Sequence, residues 1–552
     1  MRFSKTWRFV IAIPLVFLAL ICLIVVLALL QIPSQKKFDG YSLPESLSTL
    51  EQNWSDDIRQ QFHFTGFGSK IMPYDLFMNL EQATSDVLLS DNQLMKALGF
   101  ITQDKAANNP DGLPVGFTHT GTGWIGISCA ACHTGLLSFE GTRYLIDGAP
   151  GMLNFSQFES EISTALNAHL NDHEKFQRLA QRMGAASEKE QQSLKNVIEA
   201  RATFFDRRLY TNRVDVDYGY GRLDAFGRIF NAVTSAALEM PENYHQPDAP
   251  VSIPMLWDAS HFDLVQWNGS APNKNPGPLG QNVTTALAVY GEINMLEKGW
   301  GYKSSVDIVE LGYIQSKLYD LMSPKWDESI FGDINDALAE KGKNIYVEQC
   351  KACHELIDDR DPKRKIRAKL VDTKLIGTDP LMAKNFATFT SKTGPLEGKD
   401  LAIVAGETFG EEAATINVVI NATIGAILRR PIDTITAYVT EDADVYSAKL
   451  DLTRQAYKAR PLNGIWATGP FLHNGSVPTI YDLLKGEEER PKQFYVGGSE
   501  LDAKHLGMRH DNQDNTSLFD TSLPGNANTG HTIATSLRDE DKWALIEYLK
   551  TL

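Results

Sequence analysis

Four of the five cysteines in this 552-residue chain stand in two copies of one short pattern. The first copy is Cys129-Ala130-Ala131-Cys132-His133, and the second is Cys350-Lys351-Ala352-Cys353-His354. Two cysteines separated by two residues and followed at once by a histidine are the attachment signal of c-type haem, in which the thiols bind the haem covalently and the histidine binds the iron. The pattern therefore predicts two covalently bound haem c groups, with His133 and His354 as iron ligands.

The same cysteines allow two other interpretations, a thioredoxin-like dithiol and a zinc site. A dithiol needs only a Cys-x-x-Cys pair, and a zinc site would have to gather the four thiolates in one place. Neither site requires a histidine directly after each pair. Because the chain has only five cysteines and twelve histidines, two such placements by chance would be rare. Covalent haem is the interpretation that accounts for the whole pattern.

The N-terminus carries a long uncharged segment. From Phe9 to Leu30, 22 residues follow one another without a charge. As a helix they would span about 33 Å, roughly the thickness of the hydrocarbon core of a bilayer. The segment therefore predicts a transmembrane anchor. A cleaved signal peptide is the alternative, although the segment lacks the paired small residues of a cleavage site.

The charges around this segment predict its orientation. Arg2, Lys5 and Arg8 precede it, which favours a cytoplasmic N-terminus and export of the remaining chain. Export agrees with the two motifs, because bacteria attach haem c outside the cytoplasmic membrane. The sequence thus predicts a single-pass protein of the bacterial inner membrane with its bulk in the periplasm.

The expected fold class is mainly α, with two cytochrome c-like haem domains that carry long loops and insertions behind one N-terminal transmembrane helix. Apolar residues on one face predict a helix that ends at Cys350, and a similar stripe predicts a helix over about 537–552. A helix, the motif, loops and a final helix form the cytochrome c arrangement. The predicted divisions are a cytoplasmic N-terminus (1–8), an anchor (9–30), a tether (31–60), a catalytic N-terminal haem domain (61–330) and a C-terminal electron-relay haem domain (331–552).

Longer segments around the motifs resemble the dihaem cytochrome c peroxidase superfamily. Within it, the likeness is closest to the rubber oxygenase branch, which also includes bacterial dihaem fatty-acid dioxygenases and diol synthases. The likeness covers most of residues 110–552. The segments that carry it are Leu113-Pro114-Val115-Gly116-Phe117, Gly221-Arg222-Leu223-Asp224-Ala225-Phe226-Gly227-Arg228, Val265-Gln266-Trp267-Asn268-Gly269-Ser270, Leu462-Asn463-Gly464-Ile465-Trp466-Ala467-Thr468-Gly469-Pro470-Phe471-Leu472-His473-Asn474-Gly475-Ser476-Val477-Pro478-Thr479 and Phe494-Tyr495-Val496-Gly497-Gly498.

The resemblance implies the same two proximal histidines and makes His473 the distal ligand of the second haem. An iron with two histidine ligands is coordinatively closed and suits an electron relay, whereas catalysis needs an open or displaceable position. Met508 and His505 are the alternative distal ligands.

The first haem departs from the ordinary dihaem peroxidases, which place a second histidine shortly after the first motif. Here no histidine occurs between His133 and His169. This absence favours a first haem that is open to dioxygen or peroxide, as in the oxygenase branch. The other histidines that could cap this haem are His119, His169, His173 and His261.

Three further residues are candidates for the haem sites. The resemblance makes Trp267 the leading catalytic aromatic residue, as an electron relay or as an apolar wall near the oxygen-activating haem. Arg222 and Arg460 are flanked by glycine or proline and are candidate partners of haem propionates, because a planar guanidinium pairs with carboxylates in two places.

Three functions remain open from the sequence. The first is an oxygenase that activates dioxygen at the His133 haem and oxidises an unsaturated lipid or similar apolar small molecule. The second is a peroxidase that reduces hydrogen peroxide with electrons from a donor protein, and the third is a non-catalytic electron carrier. The net charge of -16 excludes nucleic acid as a natural partner. Peroxidase relatives hold a calcium ion between their domains, but no calcium-binding loop is legible here.

Overall fold

The computed structural model of the chain describes residues 22–32, 46–107, 109–119, 123–274, 277–297, 299–403, 405–441 and 451–552. The chain is 41% helix and 15% strand, so the prediction of a mainly α fold is wrong and the fold is mixed. Most strands contain two to four residues. Alternation of apolar and polar residues predicts a strand only over about four to eight residues, so strands this short escape the pattern.

The two longest helices of the first 330 residues are Phe155–Asn171 and Glu188–Thr211. Helices up to residue 331 are Asp56–Phe64, Tyr74–Asn79, Asn92–Ala97, Phe155–Asn171, His173–Arg182, Glu188–Thr211, Ala225–Phe230, the π-helix Asn231–Ala237, Gly277–Ala288, Ile308–Leu318 and Glu328–Phe331. Those that follow are Asp336–Gln349, Thr373–Ile376, Leu381–Thr388, Thr415–Leu428, Pro431–Glu441, Ile480–Leu483 and Asp539–Lys550. Short 3-10 helices are Cys129–Ala131, Pro241–Asn243, Ala259–His261, Gly394–Leu396, Ile465–Ala467 and Glu487–Glu489.

The strands form small separate sheets. One three-stranded sheet joins Leu47–Thr49, Thr142–Asp147 and Thr134–Phe139, and another joins Met72–Pro73, Trp124–Ile127 and Phe117–His119. The two-stranded pairs are Arg222–Leu223 with Val251–Ser252, Leu264–Val265 with Ala271–Pro272, Ile293–Asn294 with Lys303–Ser304, Lys369–Asp372 with Ala456–Ala459, Thr390–Lys392 with Glu412–Ala414, Gln493–Val496 with Ser517–Asp520, and Leu501–Asp502 with Gly507–Met508.

A tight hairpin follows directly on the first motif. Strand Thr134–Phe139 turns through Glu140 and Gly141 into Thr142–Asp147. Both turn residues have positive φ, 48° and 80°, as a two-residue turn of type I′ requires. The hairpin fixes the backbone that follows His133.

The core draws on both sides of residue 330. Trp257, Trp326, Phe331 and Trp466 are buried in one apolar cluster that also holds residues of the final helix. The Trp326 and Trp466 rings meet edge to face with centres 5.3 Å apart. Burial of side chains this large contributes roughly 2–3 kcal/mol each. The two halves of the chain therefore stabilise one another.

The two predicted helices of the second half are confirmed, and they pack against each other. Asp336–Gln349 ends directly before Cys350, and Asp539–Lys550 crosses it, with the Tyr346 and Tyr548 ring centres 5.2 Å apart. The N-cap of the final helix is Arg538, whose side chain makes no capping bond. The crossing holds the second motif at the end of its helix.

This crossing depends on Gly342. A Cβ at Gly342 would lie 1.9 Å from the Ala544 carbonyl oxygen. We expect Gly342→Ala to lower the free energy of unfolding by about 1–3 kcal/mol, because the helices must separate. Gly280→Ala is the matched control, since a Cβ there meets nothing within 4 Å; it should raise stability by about 0.5–1 kcal/mol. Urea unfolding of both variants decides this, and equal stabilities would contradict the close crossing.

The predicted membrane anchor needs correction. Residues 1–21, which hold the predicted cytoplasmic N-terminus and most of the anchor, and residues 33–45 of the predicted tether lie outside the described residues. Residues 22–30 are helical, but in the described part of the chain no helix is long and apolar enough to cross a membrane. The Ala28 carbonyl instead accepts a hydrogen bond from the Thr436 hydroxyl at 2.9 Å, so this apolar segment contacts another helix. The prediction of a single-pass inner-membrane protein rested on this anchor, so it is corrected as well.

Candidate haem sites

The first motif is positioned by a strand and a glycine. Strand Trp124–Ile127 leads into the 3-10 helix Cys129–Ala131, whose Ala130 N–H donates to the Ser128 hydroxyl at 3.2 Å. A Cβ at Gly116, where φ is +85°, would lie 2.2 Å from the Ala131 nitrogen. Only glycine allows this approach, which explains its presence in the segment before the motif.

His133 is held in the form that binds a metal. Its Nδ1 lies 2.9 Å from the Pro254 carbonyl oxygen. Since a carbonyl can only accept, Nδ1 carries the proton and Nε2 keeps its lone pair. Burial lowers the pKa of His133 to about 4, so the imidazole is neutral at ordinary pH. Metal-ligating histidines are commonly oriented by such a bond from the other ring nitrogen.

The second motif repeats this arrangement. The Nδ1 of His354 donates to the Arg460 carbonyl oxygen at 2.8 Å, and burial lowers the pKa of His354. The Tyr346 hydroxyl donates to the His354 carbonyl at 2.7 Å and fixes the backbone. Both motif histidines therefore present Nε2 to their surroundings. Neither accepting carbonyl could be identified from the sequence, because a backbone oxygen leaves no mark there.

An apolar cavity, open at its mouth, lies over the second motif. Cys350, Cys353 and His354 form part of its wall, and most of the remainder is apolar. Its aliphatic and aromatic lining comprises Pro150, Ile253, Pro254, Met255, Trp267, Val371, Ile376, Leu462, Ile465, Phe471, Leu472, Ile480, Leu483, Leu484, Ile533, Leu545 and Leu549. A large apolar space against a covalent attachment motif fits a haem.

Two more imidazoles line this cavity, those of His473 and His531. The His531 ring centre lies 6.1 Å from that of His354, at an interplanar angle of 53°. Imidazoles that bind one metal from opposite sides, with bonds of about 2 Å, have centres roughly 6 Å apart. His473 instead stacks on Tyr457, with ring centres 3.9 Å apart. Burial lowers the pKa of His531 to about 4 and that of His473 to about 3, so both rings are neutral.

The loop that carries His531 is held firmly. The His531 N–H donates to the Ile376 carbonyl at 2.8 Å, and Arg490 donates to the carbonyls of Gly530 and His531 at 2.8 and 3.3 Å. Gly530 has a φ of +72°, and a Cβ there would lie 2.2 Å from the Thr378 nitrogen. His531 was not among the ligands predicted from the sequence. The feature that could have indicated it is a histidine directly after a glycine, shortly before the final helix.

The distal ligand of the second haem therefore has two candidates in the cavity. His473 lies there, as the resemblance implied, and His531 has its ring centre at the distance from His354 that two imidazoles on one iron would have. The alternatives His505 and Met508 do not line the cavity. The Nδ1 of His505 lies 2.8 Å from the Asp502 carboxylate, near the surface.

Trp267 and Arg460 also line the cavity, whereas Arg222 does not. The Trp267 Nε1–H donates to the Ser252 carbonyl at 2.9 Å. Trp267 thus lies at the second motif and is hydrogen-bonded to the segment whose Pro254 accepts from His133. Arg222 donates to the Asn526 side-chain oxygen at 2.7 Å and lies over the Phe519 ring, so it ties down the loop before His531.

Arg460 shares its side of the cavity with a second buried cation, Lys458. Burial lowers the pKa of Arg460 to about 10 and that of Lys458 well below its usual value. Two desolvated cations beside an apolar cavity suit the two carboxylates of a haem. Arg460 therefore fits its predicted role as a propionate partner, and Lys458 is an addition that the sequence analysis missed.

Several buried polar atoms near the first motif have no hydrogen-bond partner among the described residues. They include the Thr134 hydroxyl, directly after His133, the Tyr290 hydroxyl and both ring nitrogens of His63. Buried polar atoms in native proteins are almost always satisfied, so such a group points to a bound group beside the motif. The residues fit a haem at the first motif as well.

His63 was not among the predicted caps, because nothing in the sequence relates a histidine so far before the first motif to that site. Its side chain is fully buried, and Nε2 lies 3.5 Å from the Asp147 carboxylate. The Ser128 hydroxyl donates to the His63 carbonyl at 2.9 Å, and Asp147 pairs across the hairpin with Thr134. His63 is thus bonded to the residue directly before the motif, and Asp147 is paired with the residue directly after it.

The histidines proposed as caps of the first haem have other environments. His119 stacks on Tyr74, and His173 is an exposed first residue of a helix. His169 Nδ1 lies 2.8 Å from the Ala165 carbonyl, and the two ring nitrogens of His261 each lie 3.0 Å from a backbone carbonyl. Among the described residues, no histidine ring is in ring contact with His133.

The cysteines themselves argue against the two alternative sites. Burial raises the pKa of Cys129 to about 11 and that of Cys132 to about 12, whereas a catalytic dithiol needs a lowered pKa. Within the ranges that the structure covers, no three histidine, cysteine or acidic side chains are grouped to hold a metal ion. In these ranges the structure therefore offers no such cluster of side chains for zinc, or for the calcium ion that was considered because of the resemblance to peroxidases.

Comparison with known proteins gives three similarities. Residues 456–495 match a family described as RoxA-like, cytochrome c-like. The chain is 32% identical over 629 aligned residues to the uncharacterized protein y4iJ of Sinorhizobium fredii, and the alignment covers 100% of each. It is 26% identical to the uncharacterized protein y4iM of the same organism over 342 residues, which cover 56% of this chain and 67% of that protein.

The matched segment coincides with one wall of the cavity. It contains Lys458, Arg460 and His473, which all line the space over the second motif. The match supports a RoxA-related cytochrome c over these residues, whereas the dihaem peroxidase superfamily and its oxygenase branch remain predictions.

Proposed function

The chain belongs to the family of the Sinorhizobium fredii protein y4iJ and carries a RoxA-like cytochrome c segment, and on this premise we propose that it is a dihaem c-type oxygenase. It would bind dioxygen at the haem of the first motif and oxidise an unsaturated lipid or a similar apolar small molecule. The second haem would serve as an electron relay.

One observation carries the haem part of the proposal. His133 and His354 each donate Nδ1–H to a backbone carbonyl, at 2.9 and 2.8 Å, and each leaves Nε2 free of that bond. A histidine with a purely structural role would not require the Nδ1-protonated tautomer at the same position of both motifs. The shared geometry supports two iron sites with the same proximal ligand.

The difference between the sites supports a division of labour. The second motif faces a cavity with two further imidazoles, one of which has its ring centre 6.1 Å from that of His354. Two strong ligands favour electron transfer over reaction with oxidants. At the first motif the described residues show no ring contact between His133 and another histidine. The first site is therefore the one proposed to react with dioxygen.

The residues around the first motif would supply the environment. Cys129 packs against two apolar clusters and Cys132 against a third. Such surroundings exclude water and admit an apolar substrate. When bound, the haem supplies an iron that can bind and activate dioxygen. The chain's part is to hold that iron through His133 and to keep its other face dry.

The test supplies the purified dihaem protein with an unsaturated fatty acid or a polyisoprenoid under ¹⁸O-labelled dioxygen. The proposal expects dioxygen consumption without added peroxide and two labelled oxygen atoms in the product. A dioxygenase places both atoms in the product, so no external reductant is needed. His133→Ala should abolish the activity. Label derived from water, or no consumption with any apolar substrate, would contradict the oxygenase assignment.

A peroxidase is the second candidate, and the His63–Asp147 pair favours it. A buried imidazole beside a carboxylate can take up and deliver a proton, which cleavage of peroxide requires. In that case the chain would turn over hydrogen peroxide with a reduced donor protein, and His63→Phe would remove the turnover. Turnover of neither substrate would leave the electron-carrier function.

A further inference from the structure

The two motif histidines are joined by a continuous chain of bonds. His354 Nδ1 donates to the Arg460 carbonyl at 2.8 Å, and the Arg460 guanidinium donates from Nη1 to the Met255 carbonyl at 3.2 Å. Met255 follows Pro254, whose carbonyl accepts from His133 Nδ1 at 2.9 Å. Three hydrogen bonds and the intervening covalent bonds therefore connect one imidazole with the other.

The Arg460 side chain is fixed in this position. Its Nη2 donates to the Trp257 carbonyl at 3.1 Å, so the guanidinium holds two carbonyls of the same segment. Arg460 is only 8% exposed, and Asp258 is the nearby acidic group that favours its charged form. Because the guanidinium is planar and its donors are fixed relative to one another, holding two carbonyls at once costs it little conformational entropy.

We propose that Arg460 is a positioning residue that couples the two haems through their proximal histidines. This inference rests on the proposed function, because it requires haem at both motifs. One electron is exchanged between the two iron centres, the donor becoming ferric and the acceptor ferrous, with no further reactant. Bonds that reach the outer nitrogen of a ligating histidine tune the iron behind it. Arg460 connects both of these bonds.

Trp267 provides the competing route. Its indole lines the same cavity and donates to the Ser252 carbonyl, two residues before Pro254. A route through the indole would have to cross the cavity from the second motif before it reached the bond to Ser252, whereas the Arg460 route follows bonds throughout. The two routes use different side chains, so single substitutions separate them.

The experiment uses Arg460→Met, Arg460→Lys and Trp267→Phe in the full chain. Every substitution at position 460 keeps the backbone carbonyl that accepts from His354, so the proximal bond itself is retained. Methionine removes both the charge and the fork, whereas lysine keeps a charge without the fork. Arg201→Met is the matched control, because Arg201 is a buried arginine whose ion-pair partner is Glu292 and which does not line the cavity.

The measurement is electron redistribution between the haems after one-electron reduction by pulse radiolysis, together with spectropotentiometric titration of both haems. We expect Arg460→Met to slow redistribution by about an order of magnitude and to lower both reduction potentials, because a buried cation favours the reduced iron. Arg460→Lys should slow redistribution but largely retain the potentials. Arg201→Met should change neither.

Unchanged redistribution in both Arg460 variants would overturn the inference, and so would a loss confined to Trp267→Phe. If Arg460→Met does not fold, Arg460→Lys decides alone. The haem content of the wild-type chain is measured first, as the pyridine haemochrome. Fewer than two haems per chain would refute the proposed function, whereas two haems with unchanged redistribution would refute only the role of Arg460.

Discussion

Replacing the cysteine pair of either motif with alanine is expected to remove one covalent haem, and replacing both pairs is expected to remove all haem. Thioether formation has no other thiol to use, because Cys22 is the one cysteine outside the two motifs and lies far from both of them in the sequence. Each loss should halve the haem content of the purified chain. Loss of the second haem should also destabilise the fold, because the apolar cavity over the second motif would lose its occupant.

The measurement is haem staining on a denaturing gel, which responds to covalent haem whether or not the variant folds. Cys22→Ala is the matched control and should retain the full stain. Tryptic peptides of the single-pair variants should carry haem on the remaining motif only. Full staining of a Cys350→Ala, Cys353→Ala chain would contradict attachment at the second motif.

His531→Ala is expected to open the second haem, which is the second large effect. His531 lies with its ring centre 6.1 Å from that of His354, whereas His473 is stacked on Tyr457. Loss of the distal imidazole should convert this haem from low spin to high spin and allow it to bind carbon monoxide. Added imidazole should restore the low-spin spectrum, because it can replace the missing ring in the enlarged space.

His473→Ala is the paired variant. If His531 is the ligand, the His473 variant should keep a low-spin second haem and change mainly the environment of Tyr457. The reverse pattern, with an open haem in His473→Ala and a closed one in His531→Ala, would make His473 the distal ligand, as the family resemblance implied. Electron paramagnetic resonance of both variants distinguishes the two outcomes.

The attachment chemistry could be predicted from the sequence because it is local. A cysteine pair and a histidine in five consecutive residues need no knowledge of the fold, and the helix before Cys350 shows its apolar face within a few turns. Both motif histidines have the Nδ1-protonated tautomer that such chemistry uses.

The remaining features of the sites are not local. His63 and His531 reach the sites only through folding, and the carbonyls of Pro254 and Arg460 carry no residue signature. The short strands arise from pairing between distant segments, which the period of a single strand does not predict. The anchor prediction considered the hydropathy of one segment alone, and the contact of Ala28 with Thr436 depends on a helix some four hundred residues away.

Carbon monoxide binding to the reduced wild-type protein, followed by paramagnetic resonance of the oxidised form, tests the central claim most directly. The claim is that two covalent haems share one chain, one closed by two histidines and one open at His133. It predicts that one of the two haems binds carbon monoxide and that the oxidised protein shows one low-spin and one high-spin signal of equal intensity. Two low-spin haems that bind neither carbon monoxide nor cyanide in any redox state would contradict it.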